Sequence, residues 1–255
     1  MPQATAVKSA IKNLPNASGG WCPICGGPTV FLVTNLDNPR WGLQCARCRS
    51  VPRNRMTALA LSETLGVRSL RVARQHGLTK DVYIAAAAGY LIKALPVGTR
   101  RLTTSEFMPG VAPGDPLPDG VSTCQDLHQL TYPDDSFDVM VSEDVLEHVR
   151  RPGQCFDEIH RVLHPGGRHI FTVPYNHDQP TITRVDTSSD EDVHLMEEEW
   201  HGDSLRHRVL AYRNFGFDIF EQLADHGFAT RLVLPTYTGR RAGVLGAEVF
   251  VATKV

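Results

Sequence analysis

"SFDVMVSEDVLEHVRRPGQCFDEIHRVLHPGGRHIFTVPY", residues 136–175, reads as a strand, a helix and a strand in succession. "SFDVMVSED" is a short apolar, β-rich run, and "GRHIFTVPY" repeats the pattern. Between them, in "GQCFDEIHRVL", Phe156, Ile159, Val162 and Leu163 recur at helical spacing with charged residues on the other face. Working outward, similar short runs appear at "DVYIA", "RRLTTSEF", "GVSTCQDL", "TRLVLP" and "AEVFVATKV", with a second helical stretch at "FDIFEQLADHGF". This alternation predicts an α/β fold, a mostly parallel sheet with helices on both faces. Ligands of such sheets bind outside the carboxyl ends of the strands, so the last residues of each run are the ones to read for chemistry.

Those ends are acidic. The second run closes on Ser105-Glu106, the third on Gln125-Asp126-Leu127 and the fourth on Ser142-Glu143-Asp144. An acid after the second strand can accept hydrogen bonds from both hydroxyls of a ribose. An Asp after the third can take the amino group of an adenine. Each residue also reads singly as a helix cap or turn residue. Three at successive strand ends point to an adenosine-type ligand.

"PDDSFDVMVSEDVLEHV", "RVLHPGG" and "RHIFTVP", all within residues 130–175, closely resemble the class I S-adenosylmethionine-dependent methyltransferases. The resemblance runs from about Asp81 to the C-terminus and is weakest across 176–210. It implies a Rossmann-like seven-stranded sheet whose last strand, "AEVFVATKV", runs antiparallel after a hairpin from "TRLVLP". It also implies S-adenosylmethionine as cofactor and in-line methyl transfer to oxygen or nitrogen of a small-molecule or saccharide/natural-product acceptor. Much of such catalysis is the holding of the acceptor in near-attack geometry, with a His or carboxylate to take its proton. His148, just after the fourth strand, and Tyr175, at the end of the fifth, are candidates; His148 reads equally as a structural hydrogen-bonder near Glu147. Cofactor contacts are expected at Ala85, Ala86 and Gly89, at Glu106 for the ribose, at Asp126 and Leu127 for the adenine, and at Ser142 and Glu143.

The first motif of this resemblance falls on "DVYIAAAAGYLIKAL", residues 81–95, which holds one glycine where such loops usually hold several. A narrower bacterial group is similar: cysteine knuckles, a C-x-S-x-x-R-x-R pattern (here Cys48, Ser50, Arg53 and Arg55), then a glycine-poor "hIAPE" motif. "VYIAAAAGYL" looks like that motif with its acid replaced by alanine. Four small side chains keep the turn narrow, and a sulfonium cofactor needs no pyrophosphate cradle. Gly89 is left to supply a positive φ or close packing. A non-catalytic protein that keeps the fold without the cofactor is the alternative reading of the same run.

Upstream, "WCPICGG" and "LQCARCRS" set Cys22, Cys25, Cys45 and Cys48 as two C-x2-C knuckles separated by 19 residues. The pattern predicts one structural zinc, with all four positions closed to water. Two disulfides or buried thiols are the alternatives; no secretory signal is visible to favour the former. Cys124 and Cys155 read as packing residues. Ser50 or Asn54 is expected to cap a helix through "MTALALSETL" that Gly66 ends, with Arg53 and Arg55 at its start in salt bridges to the body. Domains are expected at 1–20 (an N-terminal extension), 21–66 (a zinc-ribbon-like head and linking helix) and 67–255 (the methyltransferase-like body).

Charge divides along the same line. Through Lys80 there are 11 Lys and Arg against only Asp37 and Glu63, leaving 15 basic and 26 acidic residues downstream. A basic zinc head before such a body also resembles some ribosomal-RNA guanine methyltransferases, so an RNA substrate is the second reading. The head has few aromatics among its basic residues, and the body lacks an Asn/Asp-Pro-Pro-aromatic motif. Docking of head against body is the plainer use of the charge. The longest apolar run, Val82 to Ile92, is far short of the roughly 20 residues a membrane span needs, so no membrane partner and a cytoplasmic location are expected.

Residues 176–208, "NHDQPTITRVDTSSDEDVHLMEEEWHGDSLRH", are rich in His and acids and resemble a substrate-covering insertion. His177, Asp178, His194, His201, Asp203 and His207 are candidates for a base or a second metal. No pair shows a recognised metal spacing, which favours a solvated lid. Within it "EWHGD", and so His201, is the part that best combines an aromatic, a His and an Asp.

Overall fold

The computed structural model describes residues 17–35, 37–203 and 207–255. Residues 1–16, most of the expected N-terminal extension, and 204–206 of the expected lid lie outside the described residues. The head is an antiparallel three-stranded sheet of β1 (Ala17–Cys22), β2 (Gly27–Val33) and β3 (Leu43–Cys45). Helices α1 (Pro52–Thr64) and α2 (Leu70–His76) lead into the body. There β4 (Val82–Ile84), α3 (Tyr90–Ala94), β5 (Leu102–Glu106), β6 (Thr123–Cys124), β7 (Phe137–Glu143), α4 (Pro152–Val162) and β8 (Leu163–Thr172) follow in order. Six short strands come next: β9 (Ile182–Thr183), β10 (Val185–Asp186), β11 (Val193–His194), β12 (Trp200–Asp203), β13 (His207–Leu210) and β14 (Arg213–Asn214). The chain closes with α5 (Ile219–Asp225), β15 (Phe228–Val233), α6 (Tyr237–Arg241) and β16 (Val249–Lys254).

Seven strands form the central sheet in the order β15-β16-β8-β7-β4-β5-β6. All are parallel except β16, which runs antiparallel to both neighbours. The order places β4 and β7 side by side, so the chain reverses direction across the sheet at their carboxyl ends, where ligands of such sheets bind. Both faces are covered, which is why β7 is buried at Phe137 and from Val139 to Ser142 without alternation. On one face α4 buries Cys155, Phe156, Ile159 and Val162, the spacing read in the sequence. Each such apolar side chain contributes roughly 1.5–3 kcal/mol on burial, as an upper estimate.

Local structure departs from the sequence reading in three places. The third strand shrinks to two residues because its lead-in folds back on the preceding loop, with Cys124 N–H donating to Asp115 O and Leu117 N–H to Ser122 O, both at 2.8 Å. The final antiparallel pair is joined not by a tight hairpin but by a connection carrying α6. Helix α1 starts at Pro52 after Val51, with no side-chain cap; Asn54 Oδ1 accepts from the Val51 N–H at 3.4 Å, and Ser50 faces the cysteines instead.

Head and body share a core. Phe31, Leu43 and Met56 belong to the same buried cluster as Val82, Val139 and Val249. Arg55 fastens this junction: it is fully buried and donates to Leu43 O and Gly243 O at 2.8 Å, to Ala242 O at 2.7 Å, and to Ser50 O. Its guanidinium lies over the Phe31 ring at 4.5 Å. Of the two expected salt bridges, then, only Arg53 makes one; Arg55 satisfies carbonyls. No helix among the described residues is long and apolar enough to cross a membrane.

Candidate functional site

A cleft of about 1230 Å³ opens at the carboxyl ends of β4, β5, β6 and β7. Its floor is the alanine run. Ala85 N–H still donates to Val141 O at 2.9 Å, holding the chain in sheet register one residue past β4. Gly89 then turns the chain into α3 with φ of 127°, a conformation L side chains rarely adopt. Ala85, Ala86, Ala88 and Gly89 line the cleft, whereas Ala87 does not.

The strand-end acids fall into two groups. Glu106 and Asp126 line the cleft, with Leu127 beside them. Glu106 Oε1 accepts from the Phe107 N–H at 3.1 Å. Asp126 Oδ1 accepts from the backbone and ring of His128, at 2.9 and 2.6 Å, and that ring bond holds its carboxyl below the usual range. Glu143 and Asp144 also border the cleft, but the head takes up their oxygens. Glu143 accepts from Asn54 Nδ2 at 2.9 Å and Thr57 Oγ1 at 2.8 Å. Asp144, at φ 52°, accepts from Arg40 Nη2 at 2.7 Å, from Arg53, and from Thr172 Oγ1 at 2.8 Å. Burial alone would raise the Asp144 carboxyl; Arg53 and Arg40 overcome it and hold it low. Ser142, expected at the cofactor, is buried on the opposite side of the strand, where its hydroxyl lies 2.9 Å from His169 Nε2.

Because the head docks here, Asn38, Arg40, Trp41, Arg53 and Asn54 wall the cleft. The sequence pattern flagged Arg53 but carried no signal for Arg40 or Trp41, which reach the cleft only through the head's fold. Within the head, Cys22 and Cys48 sulfurs lie 3.7 Å apart and those of Cys25 and Cys45 4.0 Å apart, and all four fall within 4.8 Å of one another. A tetrahedron of sulfurs about 2.3 Å from a zinc has edges of about 3.8 Å, so the four donors fit that ion. They do not fit disulfides, which need sulfurs about 2 Å apart, and all four cysteines are free. Ser50 Oγ approaches Cys48 Sγ at 3.1 Å, giving the serine of the C-x-S pattern its place.

The far corner of the cleft joins residues that are distant in sequence. A 3-10 turn at Leu146–His148 follows β7, and the antiparallel β12–β13 pair folds over it. The expected lid is thus built of small paired strands, held down by Arg150, which donates to Asp192 Oδ1 at 2.8 Å. His148 and His201 both line the cleft, their rings edge to face at 4.9 Å. Behind them Glu147 is fully buried; burial and then Asp144 push its carboxyl up to about 8. Tyr175 does not line the cleft: it packs on His177 and Phe250, with ring centroids at 4.4 and 5.1 Å.

Residues 87–171 match the methyltransferase domain family. No curated protein matches the chain. Among solved structures, the glycopeptide N-methyltransferase MtfA, complexed with S-adenosyl-L-methionine, is similar at 17% identity over 78% of this chain and 94% of that one, with a TM-score of 0.44. An S-adenosylmethionine-dependent methyltransferase from Mesorhizobium loti is similar at 16% identity over 68% and 89% of the two chains, with a TM-score of 0.41. The family match over residues 87–171, together with a seven-stranded sheet in which only β16 is antiparallel, gives the chain a Rossmann-like methyltransferase fold.

Proposed function

We propose that the protein transfers a methyl group from S-adenosylmethionine to oxygen or nitrogen of a small-molecule acceptor, such as a saccharide or natural product, held in this cleft. One observation carries the reading: the small-residue floor of Ala85, Ala86 and Gly89 and the carboxylates of Glu106 and Asp126 line a single cleft at adjacent strand ends. Glu106 is suited to the ribose hydroxyls and Asp126, beside Leu127, to the adenine. No anion cradle is present or needed for a cofactor that lacks phosphate. When bound, the cofactor supplies an electrophilic methyl group. The chain's own residues orient the acceptor beside it and exclude water. The acceptor's proton leaves toward His148 and His201, which border the cleft beside each other, whereas His128, a third imidazole on its lining, is held by Asp126. Tyr175, placed among aromatics, is given no such role.

A structural zinc on Cys22, Cys25, Cys45 and Cys48 keeps the head folded, and with it the wall formed by Arg40 and Trp41. A small acceptor is preferred over RNA because three of the head's five arginines turn inward, leaving Arg47 and Arg49 exposed. Arg40 and Arg53 bind Asp144, and Arg55 binds backbone carbonyls. Calorimetric titration with S-adenosylmethionine and S-adenosylhomocysteine tests the reading. One-to-one binding of both is expected. Binding of neither would leave a protein that keeps the fold without the cofactor. Retention on a polyanion column that falls steeply with salt would favour RNA instead.

A further inference from the structure

Three potential ligand groups, from Glu147, His148 and His201, meet at the far corner of the cleft. His148 Nδ1 lies 2.8 Å from Leu210 O. A carbonyl can only accept, so Nδ1 carries the proton and the neutral ring's lone pair is on Nε2. That nitrogen is 3.6 Å from Glu147 Oε1. His201 repeats the arrangement with its nitrogens exchanged. Its Nε2 donates to Glu199 Oε1 at 3.1 Å, which leaves the lone pair on Nδ1, 3.8 Å from the same Glu147 oxygen. Glu147 is fully buried, and among the described residues neither of its carboxylate oxygens has a hydrogen-bond partner.

The two imidazole nitrogens that carry no proton and the buried Glu147 carboxyl therefore converge on one small space, with that carboxyl the group left without a hydrogen bond among the described residues. Desolvation makes the Glu147 carboxylate costly there unless a proton or a cation balances it. The three ligand atoms lie within 4.8 Å of one another, a span a single ion can bridge. Each imidazole is also oriented through its other nitrogen by a carbonyl or a carboxylate, the outer support that metal-binding histidines usually have. We propose that Glu147, His148 and His201 bind a divalent first-row transition ion, separate from the four-cysteine site. Two imidazoles and one carboxylate suit zinc, iron, cobalt or manganese, and three protein ligands leave coordination positions open. His148 and His201 border the cleft while Glu147 lies behind them, so the open positions face the cleft.

The identity of the group that fills those positions rests on the methyltransferase reading: an acceptor oxygen or nitrogen that the ion would acidify, with His148 and His201 then serving as ligands in place of accepting its proton. The metal site itself does not depend on that reading. The sequence concealed it because His201 lies 53 positions beyond His148, and only the β12–β13 pair brings it back.

The test uses the full chain with its cysteine site loaded with zinc, titrated with cobalt(II) and followed by calorimetry and visible absorption. One equivalent of cobalt is expected to bind without thiolate charge-transfer bands and without release of zinc. Glu147→Gln and His201→Gln should each weaken cobalt binding by at least about tenfold. Both should keep the zinc equivalent and the circular dichroism of the parent. His201 is part-exposed, so its variant keeps the test valid should the buried Glu147→Gln fail to fold. The proposal is overturned if the parent binds no cobalt beyond the cysteine site, or if both folded variants bind it as the parent does. S-adenosylhomocysteine titrated in parallel separates the two readings: loss of cobalt binding with cofactor binding intact removes only the metal site, and the reverse removes only the methyltransferase reading.

Discussion

Glu106 and Asp126 at one side of the cleft, and Glu143 and Asp144 at the other, are the same chemistry at equivalent places, the carboxyl ends of parallel strands on either side of β4. The first pair borders open space. The second is taken up by Asn54, Thr57, Arg40, Arg53 and Thr172. What differs is the layer above: the head covers the end of β7 and leaves the ends of β5 and β6 open. An acidic strand end thus faces the cleft or docks the head according to what packs over it. Perturbing the first pair should change binding with little change in stability, and perturbing the second should do the opposite.

The strongest perturbation acts on the head itself. Cys45→Ser should lose the zinc equivalent in metal analysis. Because head and body share a core, it should lower stability by roughly 4 kcal/mol or more, about 10 °C or more in a thermal melt. A melt in which the body's transition stays put would show the two to be independent. Next is Asp144→Ala, which leaves Arg40 and Arg53 without their carboxylate; a cost of about 3 kcal/mol is expected, measured by urea denaturation. A neutral result would mean that solvent, not Asp144, balances those arginines.

On the open side, Ala86→Leu should weaken S-adenosylhomocysteine about 100-fold, some 2.7 kcal/mol, with the melt little changed. Ala87→Leu, at a position that does not line the cleft, should bind nearly as the parent does. Equal affinity in both variants would reduce the alanine run to packing. The smallest effect belongs to Glu106→Ala, about tenfold in affinity if two charge-assisted bonds to the ribose are lost. An unchanged titration would remove Glu106 from the site.

The strands and the acids were legible because both rest on short-range pattern, while the seven-stranded sheet was implied only by the family resemblance. Apolar runs such as "FDVMVSE" become strands buried on both faces, and Glu106 closes β5 while Asp126 lies two residues past β6. The cysteine cluster was legible for the same reason, since C-x2-C spacing already fixes each half of the set. What the pattern could not supply was anything made by docking. Arg40 and Trp41 reach the cleft only once the head is seated. Ser142 looks like Glu143's equal in sequence, yet strand alternation turns it to the opposite face against His169. Arg55 looked like Arg53's partner in charge, but one helical turn cannot aim both at the same carboxylate, and it serves the head's carbonyls. Glu147 was hidden in a motif whose histidine drew the attention. Its turn is held from far along the chain, where Tyr212 N–H donates to Glu147 O at 2.8 Å.

The most direct test of this division between open and closed acids is a crystal structure of the protein with S-adenosylhomocysteine bound. The account predicts the ligand over Ala85 to Gly89, its ribose hydroxyls on Glu106 and its adenine near Asp126, with Asp144 still held by Arg40 and Arg53. A ligand that instead displaces the head to reach Glu143 and Asp144, or that binds away from residues 85–89 altogether, would contradict it.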